Sequence, residues 1–364
     1  MNPSPENNKQ LSDRQLPVMA GYDRRLDLTP TFLGKTSNCC PKIVDELIHL
    51  LLTNSFVEQL ILCNCGIGDS EISSLSTVFP DNTFIKILDL SRNHIGSIGV
   101  KNLKDTLICT ENVQILDMSR NIIDDKSFSD LFRLPNLTCL NLEYNIISLE
   151  QVPISYPVSS SIVELFLGHN NIGHKGAIAL AEILPSMDIK YLNLDYNKIG
   201  DIGASAIANA TTLTPSLERL HLIYNNIDKI GMLAIAKMLT NSPFLLELNI
   251  SYNKFDTSID SLMFARDENT TLLVLTCEPY NMDCYFSRKL ICSKGLKRNY
   301  TLRSNEFLTP LNLLRMPESA RNAIIVTFLA SMCETGQSIL PTRVWVIIFN
   351  FWKRKDWKKS GLYD

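Results

Sequence analysis

The feature that most constrains the fold is a short frame, L-x-x-L-x-L-x-x-N-x-I, which returns seven times along the chain. Its asparagines stand 24 to 28 residues apart, a period far too short for a domain. Each copy therefore corresponds to one coil of a stacked array, in which neighbouring coils share a core. The seven asparagines are Asn93, Asn121, Asn145, Asn170, Asn197, Asn225 and Asn253.

The L-x-L step within the frame predicts a short β-strand in every coil. Because side chains alternate along a strand, both leucines point into the core and the residue between them points outward. The asparagine that follows carries both a donor and an acceptor. We expect it to hydrogen-bond backbone groups of its own coil and of the adjacent coil, which gives a stacked asparagine ladder.

Degenerate copies of the frame flank the seven regular ones, as capping coils require. One covers residues 57–67, where Cys65 takes the asparagine position, and another begins at Leu272. An amphipathic pattern that starts at Pro41 predicts a helix before the first of them. We therefore divide the chain into an N-terminal, partly disordered segment (1–40), a capping helix (41–56), a repeat array (57–299) and a helical C-terminal tail (300–364). Leu26 and Leu28 are candidates for one further capping strand.

Between the strands, the longer repeats carry a helical pattern at residues 176–184, 203–208 and 231–239. Such G-x-x-x-L-A-x-x-L helices, in repeats of 27 or 28 residues, resemble the ribonuclease-inhibitor-like class of leucine-rich repeats, which includes NOD-like receptors and Ran GTPase-activating protein. The resemblance implies an α/β fold, a curved solenoid with parallel strands on its concave face and helices on its convex face. It does not specify a function, because the class contains inhibitors, receptors and GTPase regulators.

Composition and motifs favour binding over catalysis. The formal net charge is −3, which is too weak for a nucleic-acid groove, and the ten cysteines lack zinc-ligand spacing. Phosphate-binding loops and protease or kinase motifs are absent from the sequence. We therefore expect a non-enzymatic protein without cofactor, metal or membrane span, whose partner is another protein.

The start of the chain is polar and lacks the pattern of a secretory signal, so we expect a cytoplasmic protein. Asparagine-rich leucine-rich-repeat effectors of intracellular bacteria are similar in build. A scaffold, an inhibitor or a bacterial effector that acts in a host cell would each fit this pattern.

The repeat frame also maps the expected binding surface. We call the residues that immediately precede the frame asparagines the pre-asparagine column, and we expect it to line the concave face. Arginine and tyrosine are common hot-spot residues at protein interfaces. The predicted partner-binding residues are Arg92, Arg120, Tyr144, His169, Tyr196, Tyr224 and Tyr252 of this column, with Phe166 and His221 from the position between the leucines.

Two alternative functions follow from other features. The segment from Leu340 to Trp352 resembles the opening helix of F-box motifs, which would make the chain a substrate receptor of a ubiquitin ligase. A Ran-type GTPase regulator would need an arginine that reaches the nucleotide, for which Arg92 and Arg120 are the candidates. The residues of the ligase-docking helix would be Leu340, Pro341, Val344, Trp345, Ile348 and Phe349.

Overall fold

The computed structural model describes residues 24–29, 41–53, 57–80, 84–110, 112–150, 161–254 and 259–277. These residues form two compact units. The first unit contains the described residues up to 172 together with 186–189, and the second contains 173–185 and the residues from 190 onward. The C-terminal tail, with its predicted ligase-docking helix, lies outside the described residues.

The first unit alternates six strands with four helices. All neighbouring strands in it pair in parallel, in chain order from β1 to β6. The strands are β1 (Arg25–Asp27), β2 (Gln59–Ile61), β3 (Ile87–Asp89), β4 (Ile115–Asp117), β5 (Cys139–Asn141) and β6 (Glu164–Phe166). The helices are α1 (Pro41–Thr53), α2 (Asp69–Ser76), α3 (Ser97–Thr110) and α4 (Asp125–Leu131).

The second unit repeats the same strand-turn-helix plan, with parallel pairing from β7 to β10. A short 3-10 helix, Leu184–Ser186, follows its first α-helix. The strands are β7 (Tyr191–Asn193), β8 (Arg219–His221), β9 (Glu247–Asn249) and β10 (Val274–Thr276). The helices are α5 (Gly173–Ile183), α6 (Gly200–Thr212), α7 (Lys229–Asn241) and α8 (Ile259–Glu268).

The frame leucines form the core of both units, as the alternation predicts. In the second unit Leu192, Leu220 and Leu248 are register partners on adjacent strands, and each is fully buried. The helices pack against the same side of the sheet and bury residues such as Ile207. The strand side chains on the other side of the sheet, which we call the strand face, remain available for contacts.

The predicted asparagine ladder is confirmed. The Asn253 Oδ1 atom accepts hydrogen bonds from the backbone amides of Asn225 and Ile227 at 2.9 and 3.1 Å. Its Nδ2 group donates to the carbonyls of Leu222 and Ile250, each at 2.8 Å. The side chain thus joins its own coil to the preceding one and satisfies buried backbone groups that no strand pairs. Asn93 and Asn145 make the same pattern of bonds in the first unit.

A second set of inter-coil bonds involves aspartates in the first turn of three helices. The Asp201 Oδ1 atom of α6 accepts the Asp228 amide of the next coil at 2.6 Å. In the first unit Asp69 accepts the Gly96 amide at 2.7 Å, and Asp125 accepts the amides of Ser148 and Leu149 at 2.6 and 2.8 Å. These carboxylates fix the loop that enters the following coil.

Within the described residues, no helix is long and apolar enough to span a bilayer.

Candidate functional site

The pre-asparagine column has an unusual backbone conformation. All seven of its residues have φ between 54° and 57°, in the left-handed region. Bulky residues seldom adopt this region, because Cβ approaches the backbone closely and the conformation costs on the order of 1 kcal/mol or more. The turn after each strand requires this geometry, and it directs the column side chains away from the core.

In the first unit, three members of the column stack on one another. The Arg120 guanidinium carbon lies 3.7 Å from the centroid of the Tyr144 ring. The His169 ring lies on Tyr144 with a centroid distance of 3.9 Å and an interplanar angle of 10°. Burial and the nearby Arg120 charge lower the pKa of His169, so its imidazole is neutral at neutral pH.

In the second unit, the column is a continuous stack of three tyrosines. Ring centroids are 4.6 Å apart between Tyr196 and Tyr224, and 5.0 Å apart between Tyr224 and Tyr252. Interplanar angles of 17° and 18° show near-parallel stacking. Tyr196 and Tyr252 nevertheless keep 40% and 36% of their surface exposed. The result is a continuous aromatic surface in which Tyr224 is partly buried between its two neighbours.

The residues between the frame leucines have a structural role that the sequence analysis missed. The Asp117 and Asn249 side chains accept the backbone amide two residues further on, at 2.8 and 3.2 Å. Such Asx turns shape the loop that leads to the pre-asparagine residue. Asp89, Asn141 and Asn193 form the same bond.

His221 takes this position in β8 but forms a side-chain network instead. Its Nδ1 atom lies 3.1 Å from the Tyr191 hydroxyl, and its Nε2 atom lies 3.3 Å from Glu247 Oε1. The Arg219 guanidinium carbon lies 4.4 Å from the Tyr191 ring centroid. The His221 and Glu247 side chains are only 17% and 7% exposed. This network places hydrogen-bonded and largely buried side chains on the strand face.

Tyr191 and Arg219 were not among the predicted site residues. They occupy the outward position immediately before the buried leucine at the centre of each strand, and they are register partners on β7 and β8. That position holds five residue types across the seven regular coils, so the sequence offers no column to recognise. Phe166 lies at the end of β6 and is partly buried.

In the sequence, Asp195 lies between Tyr191, a member of the His221 network, and Tyr196, the first residue of the tyrosine stack. Its Oδ1 atom accepts the Ile223 amide at 2.7 Å. Burial raises the pKa of its carboxyl to about 6, although the Ile223 hydrogen bond and the proximity of His221 act in the opposite direction. The carboxylate is therefore ionised at neutral pH at a cost in stability.

This pKa gives a pH-dependent prediction for Asp195→Asn. The folded state holds the proton more tightly than the unfolded chain, whose aspartates titrate near pH 4, so stability falls as pH rises from about 4 to about 6. Asparagine keeps the acceptor for the Ile223 amide and carries no charge. We expect the variant to be more stable by roughly 2 kcal/mol at about pH 8 and unchanged at about pH 4. Urea unfolding at both pH values measures the difference, and a variant less stable at pH 8 would contradict the prediction.

The strand face of the first unit holds a cysteine that is unsuited to nucleophilic chemistry. Burial, together with the nearby Glu164 and Asp117, raises the pKa of Cys139 to about 12. Its thiol is therefore protonated at neutral pH, whereas a nucleophilic cysteine needs a depressed pKa. Burial also raises the pKa of Cys277. No group of three or more His, Cys, Asp or Glu side chains suited to a metal ion occurs in the described part of the chain.

Comparison with known proteins identifies the repeats. The profile of a family described as "Leucine Rich repeat" matches residues 81–104, 158–181, 186–208 and 215–236. A comparison with curated protein sequences found no match. The matched segments, together with the parallel strands and the asparagine ladder, define this chain as a leucine-rich-repeat protein. Its fold is an α/β solenoid in which strands and helices alternate.

Two solved structures are among those similar to this chain. One is titled "Leiomodin-1 Actin-Binding Site 2 (ABS2)", with 22% identity and a TM-score of 0.34, over 43% of this chain and 88% of that one. Another is titled "Crystal structure of TLR13-ssRNA13 complex", with 18% identity and a TM-score of 0.40, over 70% of this chain and 32% of that one.

Proposed function

We propose that this protein is a non-enzymatic scaffold or inhibitor that binds a protein partner through its strand face and acts in the cytoplasm. The observation that carries the proposal is the stack of Tyr196, Tyr224 and Tyr252 in left-handed backbone conformation, with Tyr196 and Tyr252 exposed. Glycine or asparagine would adopt this conformation with less strain. The turn itself does not require tyrosine, so we infer that the three side chains serve contact with a partner.

Preorganisation supports the same proposal. Tyrosine loses little conformational entropy on binding, and stacking already holds these rings in one arrangement. The neighbouring His221, Tyr191 and Glu247 side chains are also fixed by hydrogen bonds. A partner therefore meets a surface whose side chains need little further ordering, which favours tight association.

The test is the triple variant Tyr196→Asn, Tyr224→Asn and Tyr252→Asn. Asparagine tolerates the left-handed conformation, so the turns remain while the aromatic surface is lost. We expect affinity for the partner to fall on the order of 100-fold, since buried tyrosines are frequent hot spots. Affinity capture with quantitative mass spectrometry identifies proteins retained by the wild type, and titration of the purified partner measures the loss.

A matched control removes three exposed apolar side chains, one each from helix α6, from the residue that caps the end of α6 and from helix α7: Ile202→Ala, Leu213→Ala and Ile230→Ala. These residues are 63%, 66% and 68% exposed, and they lie outside the strand face. Partner binding should survive in this control. Equal losses in the two triple variants would show that the strand face is not the binding surface.

The alternatives from the sequence remain predictions. A role as a bacterial effector in a host cell predicts that the partner is a host protein. A GTPase regulator would use Arg92 or Arg120, but Arg120 already stacks on Tyr144. Measuring GTP hydrolysis with and without the protein, and with Arg120→Ala, tests that function. A ubiquitin-ligase receptor would lose ligase binding with Trp345→Asp.

A further inference from the structure

We propose that Asp195 is the acceptor for a basic side chain, best supplied by arginine, on the polypeptide that binds the strand face of the second unit. This inference rests on the proposed function and specifies the chemistry of the partner. The inference follows from a comparison of the charged side chains of this face, and of the partners that each of them has within the protein.

Asp195 is a carboxylate of this face whose side-chain hydrogen-bond partner is a backbone amide. Its side chain is partly buried, and its Oδ1 atom accepts the Ile223 amide at 2.7 Å. Across the described residues, no lysine, arginine or histidine forms an ion pair with it. The basic group close enough to influence it is His221, which is already hydrogen-bonded to Tyr191 and Glu247.

The other charged groups of this face have partners within the protein. Glu247 Oε1 lies 3.3 Å from His221 Nε2, and Glu218 Oε1 lies 3.7 Å from Lys190 Nζ. The Arg219 guanidinium lies over the Tyr191 ring. Asp195, in contrast, has a backbone amide as its side-chain partner and, among the described residues, no ionisable side chain hydrogen-bonded to it, so the complementary group on a partner is positive.

The fold does not require a charge at this position. The equivalent residues of the next two coils are Ile223 and Ser251, and both coils keep the same strand and turn. Asparagine would accept the Ile223 amide equally well. The ionised carboxylate costs stability at neutral pH, because burial raises the pKa of Asp195. A destabilising charge that the local structure can replace is typical of a binding position.

Arginine fits this position better than lysine. Its planar guanidinium is more weakly hydrated than an ammonium group and presents several donors at once. One edge can pair with the Asp195 carboxylate while other donors meet the phenol oxygen of a neighbouring tyrosine. Tyr196 directly follows Asp195 in the chain and is exposed. Burying the pair under a partner then leaves neither charge uncompensated.

The test is selection of displayed random peptides on the full-length protein, followed by affinity measurements with variants. Selected peptides are titrated against the wild type, Asp195→Asn and the Tyr196, Tyr224 and Tyr252 triple asparagine variant. Each peptide that contains arginine is also synthesised with citrulline, which keeps the shape and removes the charge. The Ile223 amide resonance in NMR spectra reports directly on the state of Asp195.

We expect the selected peptides to contain arginine or lysine, and to bind Asp195→Asn on the order of tenfold more weakly. Citrulline should cause a similar loss with the wild type and little further loss with Asp195→Asn. Peptides that need the tyrosines but bind Asp195→Asn as well as the wild type would overturn this inference and leave the proposed function standing. Peptides that bind all variants equally, or no selected peptides, would count against both.

Discussion

Replacing Asn225 with alanine is expected to lower the free energy of unfolding by about 4 kcal/mol. Asn225 is fully buried. Its Oδ1 atom accepts the amides of Asn197 and Ile199, and its Nδ2 group donates to the carbonyls of Leu194 and Ile223. Alanine would leave the two buried amides without this acceptor, and each unsatisfied group costs about 1–3 kcal/mol. The two carbonyls keep other donors, the Asn197 side chain for Leu194 and the Tyr196 amide for Ile223.

Urea denaturation followed by circular dichroism measures this loss. The matched control is Asn226→Gly, one residue further along the chain. Asn226 is exposed and has a φ of 56°, which glycine adopts freely, so stability should change by less than about 0.5 kcal/mol. If Asn225→Ala were as mild as the control, the ladder would not be the main link between coils.

Gly203→Val is expected to destabilise the second unit by about 3 kcal/mol, although valine has the better helix propensity. Gly203 lies in α6 where that helix approaches α5. A Cβ atom at Gly203 would stand 2.9 Å from the Cβ of Ala177 and 3.2 Å from the Cα of His174. Because the Cβ and Cα atoms are fixed to the backbone, the two helices would have to separate.

Thermal unfolding compares this variant with Asn209→Ala, at an exposed position of the same helix. The control should be neutral or slightly stabilising, because alanine favours the helix and no neighbour constrains it. A Gly203→Val protein as stable as the wild type would show that α5 and α6 can move apart without cost.

Most of the fold could be predicted from the sequence because its determinants lie within one coil. The L-x-L alternation fixes which side chains are buried, and each frame asparagine bonds a neighbouring coil whose sequence repeats its own. The capping strand predicted at Leu26 and Leu28 is found at Arg25–Asp27, and the helix predicted from the amphipathic pattern at Pro41 is α1.

The contacts between dissimilar residues of different coils could not be predicted in this way. Asp201 looks like an ordinary acidic residue at a helix start, and its bond to the Asp228 amide depends on how coils stack. The network of Tyr191, His221 and Glu247 joins three coils through residues that the repeat does not specify. The raised pKa of Asp195 depends on burial by neighbours, which one coil does not reveal.

The uniform backbone of the pre-asparagine column has an evolutionary consequence. Arg120, His169 and Tyr224 share nearly the same φ, at 56°, 56° and 54°, although their side chains differ in size and charge. The backbone conformation is therefore set by the coil, and the side chain can be exchanged with little effect on the rest of the fold. Mutation can change recognition one coil at a time, so related proteins could acquire new partners by single substitutions along this column.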